Sequence, residues 1–248
     1  MSRFNPLCTA SSVAALLLLA SAPLAMAGAK DDVLAGAAKL SDAPNYSWTS
    51  TATGGRGGGT TSGKTQKDGA TTVTIPVRGG GTREIVMQGG QVAVQTEDGW
   101  QNISELANAE GPMRFMATMV KNFKTPDAQA KMFLDSVPDL TKADDGSYSA
   151  DLPEDAAKKM LSFGGRPGGD IQVSDAKGSG KFWLGDGGML SRMQVHMTGT
   201  ISFNGNDRPV DRTTTTEIKD VGTTTVDVPA EAKAKLTAPP TTAPATQP

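Results

Sequence analysis

Apolar and polar residues alternate over long stretches of this chain, and a period of two predicts strands. Val73, Ile75 and Val77 share one face of such a stretch, Ile85 and Met87 one face of the next, and Val92 and Val94 one face of a third. "GG" at 89–90 predicts a tight hairpin between the last two, because glycine accepts the positive φ that such turns need. Earlier, "YSWTSTAT" begins a strand with Tyr46 and Trp48 on one face, and "EDGW" predicts a turn that delivers Trp100. From 170 to 229 the chain reads as a β-meander with turns at "GSG", "GDGG", "NGND" and "DVG". In it Met193, Val195, Met197, Ile201 and Phe203 fall on one face, while Arg192, Gln194 and His196 fall on the other.

Three segments change period. "KDDVLAGAAKLSDAPN" (30–45) predicts an opening helix with acids in its first turn and Pro44 closing it. In "GPMRFMATMVKNFK", Met116, Met119, Val120 and Phe123 recur at helical spacing, and Pro126 opens a further turn or two carrying Met132, Phe133 and Val137. "PEDAAKKMLSFGG" predicts a third short helix, with Pro at its start and Gly past its end. The cluster of Met113, Met116 and Met119 beside Phe115, Val120 and Phe123 fits two descriptions. Flexible, polarizable methionines suit a lid on an apolar cavity, and they equally suit a helix that plugs a β core.

Composition agrees with a turn-rich β protein: glycine is abundant at 29 residues and aromatics make up 5%. Residues 1–27 read as a cleaved signal peptide, with Arg3, an apolar run too short to span a bilayer, and "AMA" before Gly28. Cys8 precedes that run and leaves with the leader, so the expected mature chain has no cysteine for disulfide, thiolate or metal chemistry. No later apolar run is long enough for an integral membrane span. The formal charge of −2 moves to −3 when Arg3 is removed, which gives no electrostatic reason to expect nucleic acid. Residues 230–248, rich in Pro, Thr and Ala, read as a disordered tail. The expected division is thus a signal at 1–27, one domain over 28–229 and a tail over 230–248.

"GGGTTSGKT" (57–65) matches the spacing of a phosphate-binding loop at Gly58, Gly63, Lys64 and Thr65. The motif works when a helix starts at the Lys-Thr pair, yet "KTQKDGATTVTIPV" follows, which is strand chemistry with a turn in it. We read the stretch 54–63 as a hairpin loop and expect no nucleotide. His196 is the only histidine, so no His pair for zinc and no partner for acid–base work is in sight. The acidic pairs Asp31/Asp32, Asp144/Asp145 and Glu154/Asp155 sit at helix starts and turns, where carboxylates cap. No cofactor, no metal and no catalytic residue is expected.

"KFWLGDGGMLSRMQVHM" followed by "RTTTTEIKDVGTTTVDVP" resembles the LolA/LppX-like superfamily of periplasmic lipoprotein and lipid carriers. A W-L-x-D turn leads into a strand reading L-x-R-M-x-V; a Thr-rich strand, a D-x-G turn and a strand ending in Pro229 follow. The order upstream agrees, and the similarity spans about residues 30–229. The resemblance implies an α+β fold: a curved, incompletely closed antiparallel sheet, a half-barrel, with short helices over its concave face. It further implies a non-catalytic exported protein, periplasmic or secreted, whose partner is a lipid or an acylated protein held between sheet and helices. On this sequence the cavity lining would be Trp48, Val73, Ile75, Ile85, Met87, Val92, Val94, Met116, Met119, Phe123, Val195, Met197 and Phe203. Two other classes stay in view: an envelope structural or interaction protein with the same fold and a filled core, and, last, a hydrolase.

Overall fold

The computed structural model describes residues 28–55, 58–77, 79–107, 112–162, 171–203 and 205–237. The expected signal peptide, residues 238–248 and the side chains of Met113 and Phe115 lie outside the described residues. The chain opens with helix α1 (Ala29–Asp42), whose Val33, Ala37 and Leu40 are buried at a spacing of three to four. A meander follows: β1 (Asn45–Thr53), β2 (Gly59–Gln66), β3 (Ala70–Pro76), β4 (Thr82–Gln88), β5 (Gln91–Thr96) and β6 (Gly99–Asn102). Gly89 and Gly90 form the β4–β5 turn, both at positive φ as expected. Then come α2 (Ile103–Ala107), α3 (Pro112–Lys121) and α4 (Pro126–Leu134), the strands β7 (Thr141–Lys142) and β8 (Tyr148–Asp151), and α5 (Glu154–Ser162). Three long strands, β9 (Ile171–Leu184), β10 (Leu190–Phe203) and β11 (Asn206–Lys219), lead to α6 (Ala230–Thr237).

All eleven strands form one antiparallel sheet in the order β6-β5-β4-β3-β2-β1-β11-β10-β9-β8-β7. Two meanders therefore meet at β1 and β11, paired from Ser47↔Lys219 to Thr53↔Thr213. The ends β6 and β7 do not pair, so the sheet is an open half-barrel with an inner and an outer face, and the expected fold class holds. Register carries the inner face across strands: Ile218, Trp48, Gly63, Val73, Ile85 and Val94 lie in one cross-strand row. With α1, α3, α4 and α5 on that side, Trp48, Val73, Ile85 and Val94 belong to the main apolar core and Ile218 packs against it. A smaller core lies on the outer face, where Ala232 and Leu236 of α6 cover Ala70, Val86, Ala93 and Trp100.

Four expectations are corrected here. Residues 59–63, expected in the hairpin loop 54–63, belong to β2. The phosphate-loop spacing is thus spread along a strand, and Lys64 opens no helix. Gly63 is a glycine because the Trp48 ring lies on it: a Cβ there would come within 2.3 Å of Trp48 Cζ2. "GSG" is no turn, since β9 runs straight through 178–180; an added Cβ on Gly180 would meet Phe133 Cζ at 2.4 Å. Residues 224–229 form an extended strap outside the sheet rather than a final strand. Finally, 230–237 is helical rather than disordered, because Ala232 and Leu236, four apart, bury on the outer core.

These contacts give Gly63 a packing role, while Lys64 next to it is exposed. Gly63→Ala is expected to destabilise the fold by about 1–3 kcal/mol through overpacking against Trp48. Lys64→Ala, at an exposed position, is expected to stay within about 0.5 kcal/mol of the parent. Urea unfolding followed by tryptophan fluorescence checks both.

Candidate functional site: the inner face of the half-barrel

The inner site is built outward from Trp48. Alternation along β1 turns Tyr46 and Trp48 inward together, and both are buried. Phe123, just past α3, stacks on Trp48 with ring centroids 5.8 Å apart and planes inclined by 24°. Met116, Ala117 and Val120 form the buried stripe of α3, and Arg83 of β4 donates from Nη1 to Met116 Sδ at 3.3 Å. Among the described residues no hydrogen bond reaches Trp48 Nε1, so a buried donor without a partner sits between Ile218 and Gly63 on the inner face.

Of the residues expected to line a cavity, Trp48, Val73, Ile85, Val94 and Met116 are buried together in the main core. Ile75, Met87, Val92, Phe123, Val195 and Met197 are partly buried and pack against that group. Two stand apart. Met119 is 45% exposed, because Ala117 rather than Met119 flanks Met116 and Val120 on the buried side of α3. Phe203 ends β10 beside the β10–β11 turn, partly buried but outside both apolar clusters.

Polar groups fix the helices over this face. Tyr46 donates its hydroxyl to Asp127 Oδ1 of α4 at 2.7 Å. Burial, and then the negative charge of Asp127, push the Tyr46 phenol far above its ordinary range. Tyr148 likewise donates to Asp32 Oδ2 of α1 at 3.1 Å, and Lys30 Nζ donates to the Val137 carbonyl at 2.7 Å. The remaining acidic pairs have structural partners too. Asp145 accepts from the Ser147 hydroxyl and from Lys181 Nζ, which hold its carboxyl well below the usual carboxylate range. Glu154 pairs with Lys158 one turn along α5 at 2.7 Å.

The outer face is polar. His196 Nε2 lies 2.9 Å from Asp211 Oδ1, and Ser179 is its cross-strand neighbour on β9. Ser, His and Asp thus meet on adjacent strands, which the spacing in sequence does not suggest. Yet the His196 and Asp211 side chains are 46% and 81% exposed, and no described hydrogen bond joins Ser179 to His196. A catalytic relay needs a buried, orienting carboxylate, and an exposed pair contributes little. Sequence reasoning also missed the Tyr46–Asp127 bond, which spans 81 residues. The outer core had a signal, the alternation of Val226 and Val228 before Ala232 and Leu236.

No protein-family model matches the chain, and no curated protein is similar to it. Solved structures are. The crystal structure of LprF from Mycobacterium bovis is similar at 13% identity and a TM-score of 0.43, covering 82% of this chain and 97% of that one. The crystal structure of the Mycobacterium tuberculosis lipoprotein LppX is similar at 14% identity and a TM-score of 0.43, covering 78% of this chain and 97% of that one. Both likenesses are loose, and the half-barrel architecture stands on the strand pairing itself. Among the described residues no helix is long and apolar enough to cross a membrane.

The Tyr46 bond sets a pH dependence. An unfolded tyrosine ionises near 10, the buried native one well above it, so folding favours the protonated phenol. Its stabilising contribution is complete below about pH 10 and declines as pH rises beyond that, toward the native value. Tyr46→Phe is expected to cost about 1 kcal/mol at neutral pH, and that difference is expected to shrink above about pH 10. Chemical denaturation of both proteins across alkaline pH measures it.

Proposed function

We propose that this is an exported, non-catalytic binding protein that takes an acyl chain, free or on an acylated partner, between the inner sheet face and the α3–Phe123 cover. One observation carries the reading: a buried apolar row runs from Trp48 to Val94 under a cover, with an unpaired indole N–H at its Trp48 end. An acyl chain would replace the contacts of the cover with equivalent apolar ones, at about 0.8 kcal/mol per buried methylene. Its ester or carboxyl oxygen would accept from Trp48 Nε1, a donor whose isolation otherwise costs about 1–3 kcal/mol. The cover suits displacement. Its described contacts with the sheet are apolar, apart from the Arg83–Met116 bond, and Met119 already faces solvent.

A second reading has its own support. Val73, Ile85 and Val94 are nearly inaccessible, and the same row can be a finished core. The protein would then act through its outer surface, as a structural or interaction component of an envelope.

Uptake of a dansyl-labelled fatty acid, competed by oleate and paired with native mass spectrometry of the gently purified protein, separates the two. Saturable uptake is expected, and Trp48→Phe, which keeps a ring but removes the N–H, is expected to weaken it about tenfold. Co-purified lipid is expected in the native spectra. Neither uptake nor lipid would leave the filled-core reading standing.

A further inference from the structure

We propose that the hollow between the outer face of β1–β4 and the strap 224–229 is a binding site for a small hydroxyl-rich ligand, a neutral mono- or disaccharide. The hollow measures about 380 Å³ and lies on the face opposite the acyl site, so this inference does not rest on that reading. Such a volume falls within the usual range for small-molecule sites.

The walls are fixed before any ligand arrives. The strap is tied at its start to Asn45, whose backbone carbonyl accepts from Gly222 N at 2.9 Å and whose Oδ1 accepts from Thr224 N at 2.7 Å. Ser47 Oγ adds a bond to Asp220 Oδ2 at 2.7 Å. At the far end Val226 and Val228 pack on the outer core, which α6 seals with Ala232 and Leu236. The strap thus crosses the sheet tied at its start and packed through Val226 and Val228, and Asp227 and Pro229 line the space beneath it.

The floor is a grid of hydroxyls. Strand register sets Thr49 beside Ser62, Ser62 beside Thr74, and Lys64 beside Thr72, with Glu84 next to Thr74. Neighbouring strands are about 4.8 Å apart, a spacing at which one ligand bridges two or three hydroxyls. Among the described residues, none of Thr49, Ser62, Thr72 and Thr74 uses its hydroxyl in a hydrogen bond, and Lys64, Glu84 and Asp227 form no ion pair. Four donors and acceptors, one ammonium and two carboxylates thus line one hollow without commitments to each other.

Charge selects the ligand. One cation against two anions leaves the hollow net negative, which disfavours phosphate and separates Lys64 from the chemistry its sequence motif suggests. Carboxylates flanked by hydroxyls accept from pairs of sugar hydroxyls, while threonine and serine both donate and accept. A neutral polyol satisfies this set; a nucleotide does not.

Titration of the full chain with maltose, cellobiose and N-acetylglucosamine, followed by amide chemical shifts, tests the site. Saturable shifts at Ser62, Thr72, Thr74 and Asp227 are expected with at least one of them. The Thr72→Val/Thr74→Val double variant keeps β-branched shape and strand propensity, and is expected to weaken that binding about tenfold while fatty-acid uptake is unchanged. The proposal is overturned if no sugar moves these amides, if the double variant binds as tightly as the parent, or if inorganic phosphate moves them instead.

Discussion

The pairing of β1 with β11 holds the rest of the molecule in place. The first six strands follow one another through short connections, whereas α5 intervenes between β8 and β9 in the second set. When Ser47–Thr53 pairs with Thr213–Lys219, the two inner faces become one surface, and Trp48 comes to lie between Ile218 and Gly63. Loop closure over some 170 residues is entropically unfavourable, so the seam must be repaid by burial on both sides of it. Trp48, Tyr46 and Met193 supply that burial, and α4 is tied to the seam through the Tyr46–Asp127 bond.

The two faces then divide the work. The inner face is oily, crossed by a row of buried side chains and roofed by α3 and Phe123. The outer face is a field of threonine, serine and charged residues, interrupted by one apolar patch that α6 covers. That patch is what makes residues 230–237 part of the fold. The strap leading to α6 must cross β1–β4 to get there, and the hollow beneath it follows from that route.

Glycine shows how much local meaning depends on the third dimension. Gly63 and Gly180 sit in ordinary strands, where glycine is normally unfavourable. Each is the floor for an aromatic ring, Trp48 in one case and Phe133 in the other. Read along the chain, the first looked like the end of a hairpin loop and the second like part of a turn.

By itself the sequence determined most of the strands and most of the helices, because side-chain period follows backbone geometry locally. The start of β2, the unbroken course of β9 and the strap 224–229 were the exceptions. Tyr46 and Trp48 on one face, the Val73/Ile75, Ile85/Met87 and Val92/Val94 alternation, and the Gly89–Gly90 turn all follow from neighbours within a few residues. Most of the expected inner-face residues were legible for the same reason. Tertiary structure alone decided that Met119 faces outward, that Phe203 lies beyond the core, and that Ser179, His196 and Asp211 meet. It alone decided that Ala232 and Leu236 have a patch to cover, and that Tyr46 reaches Asp127. Each of these depends on which distant strand or helix lies alongside, and that partner is set by the burial of the whole sheet, which no local pattern encodes.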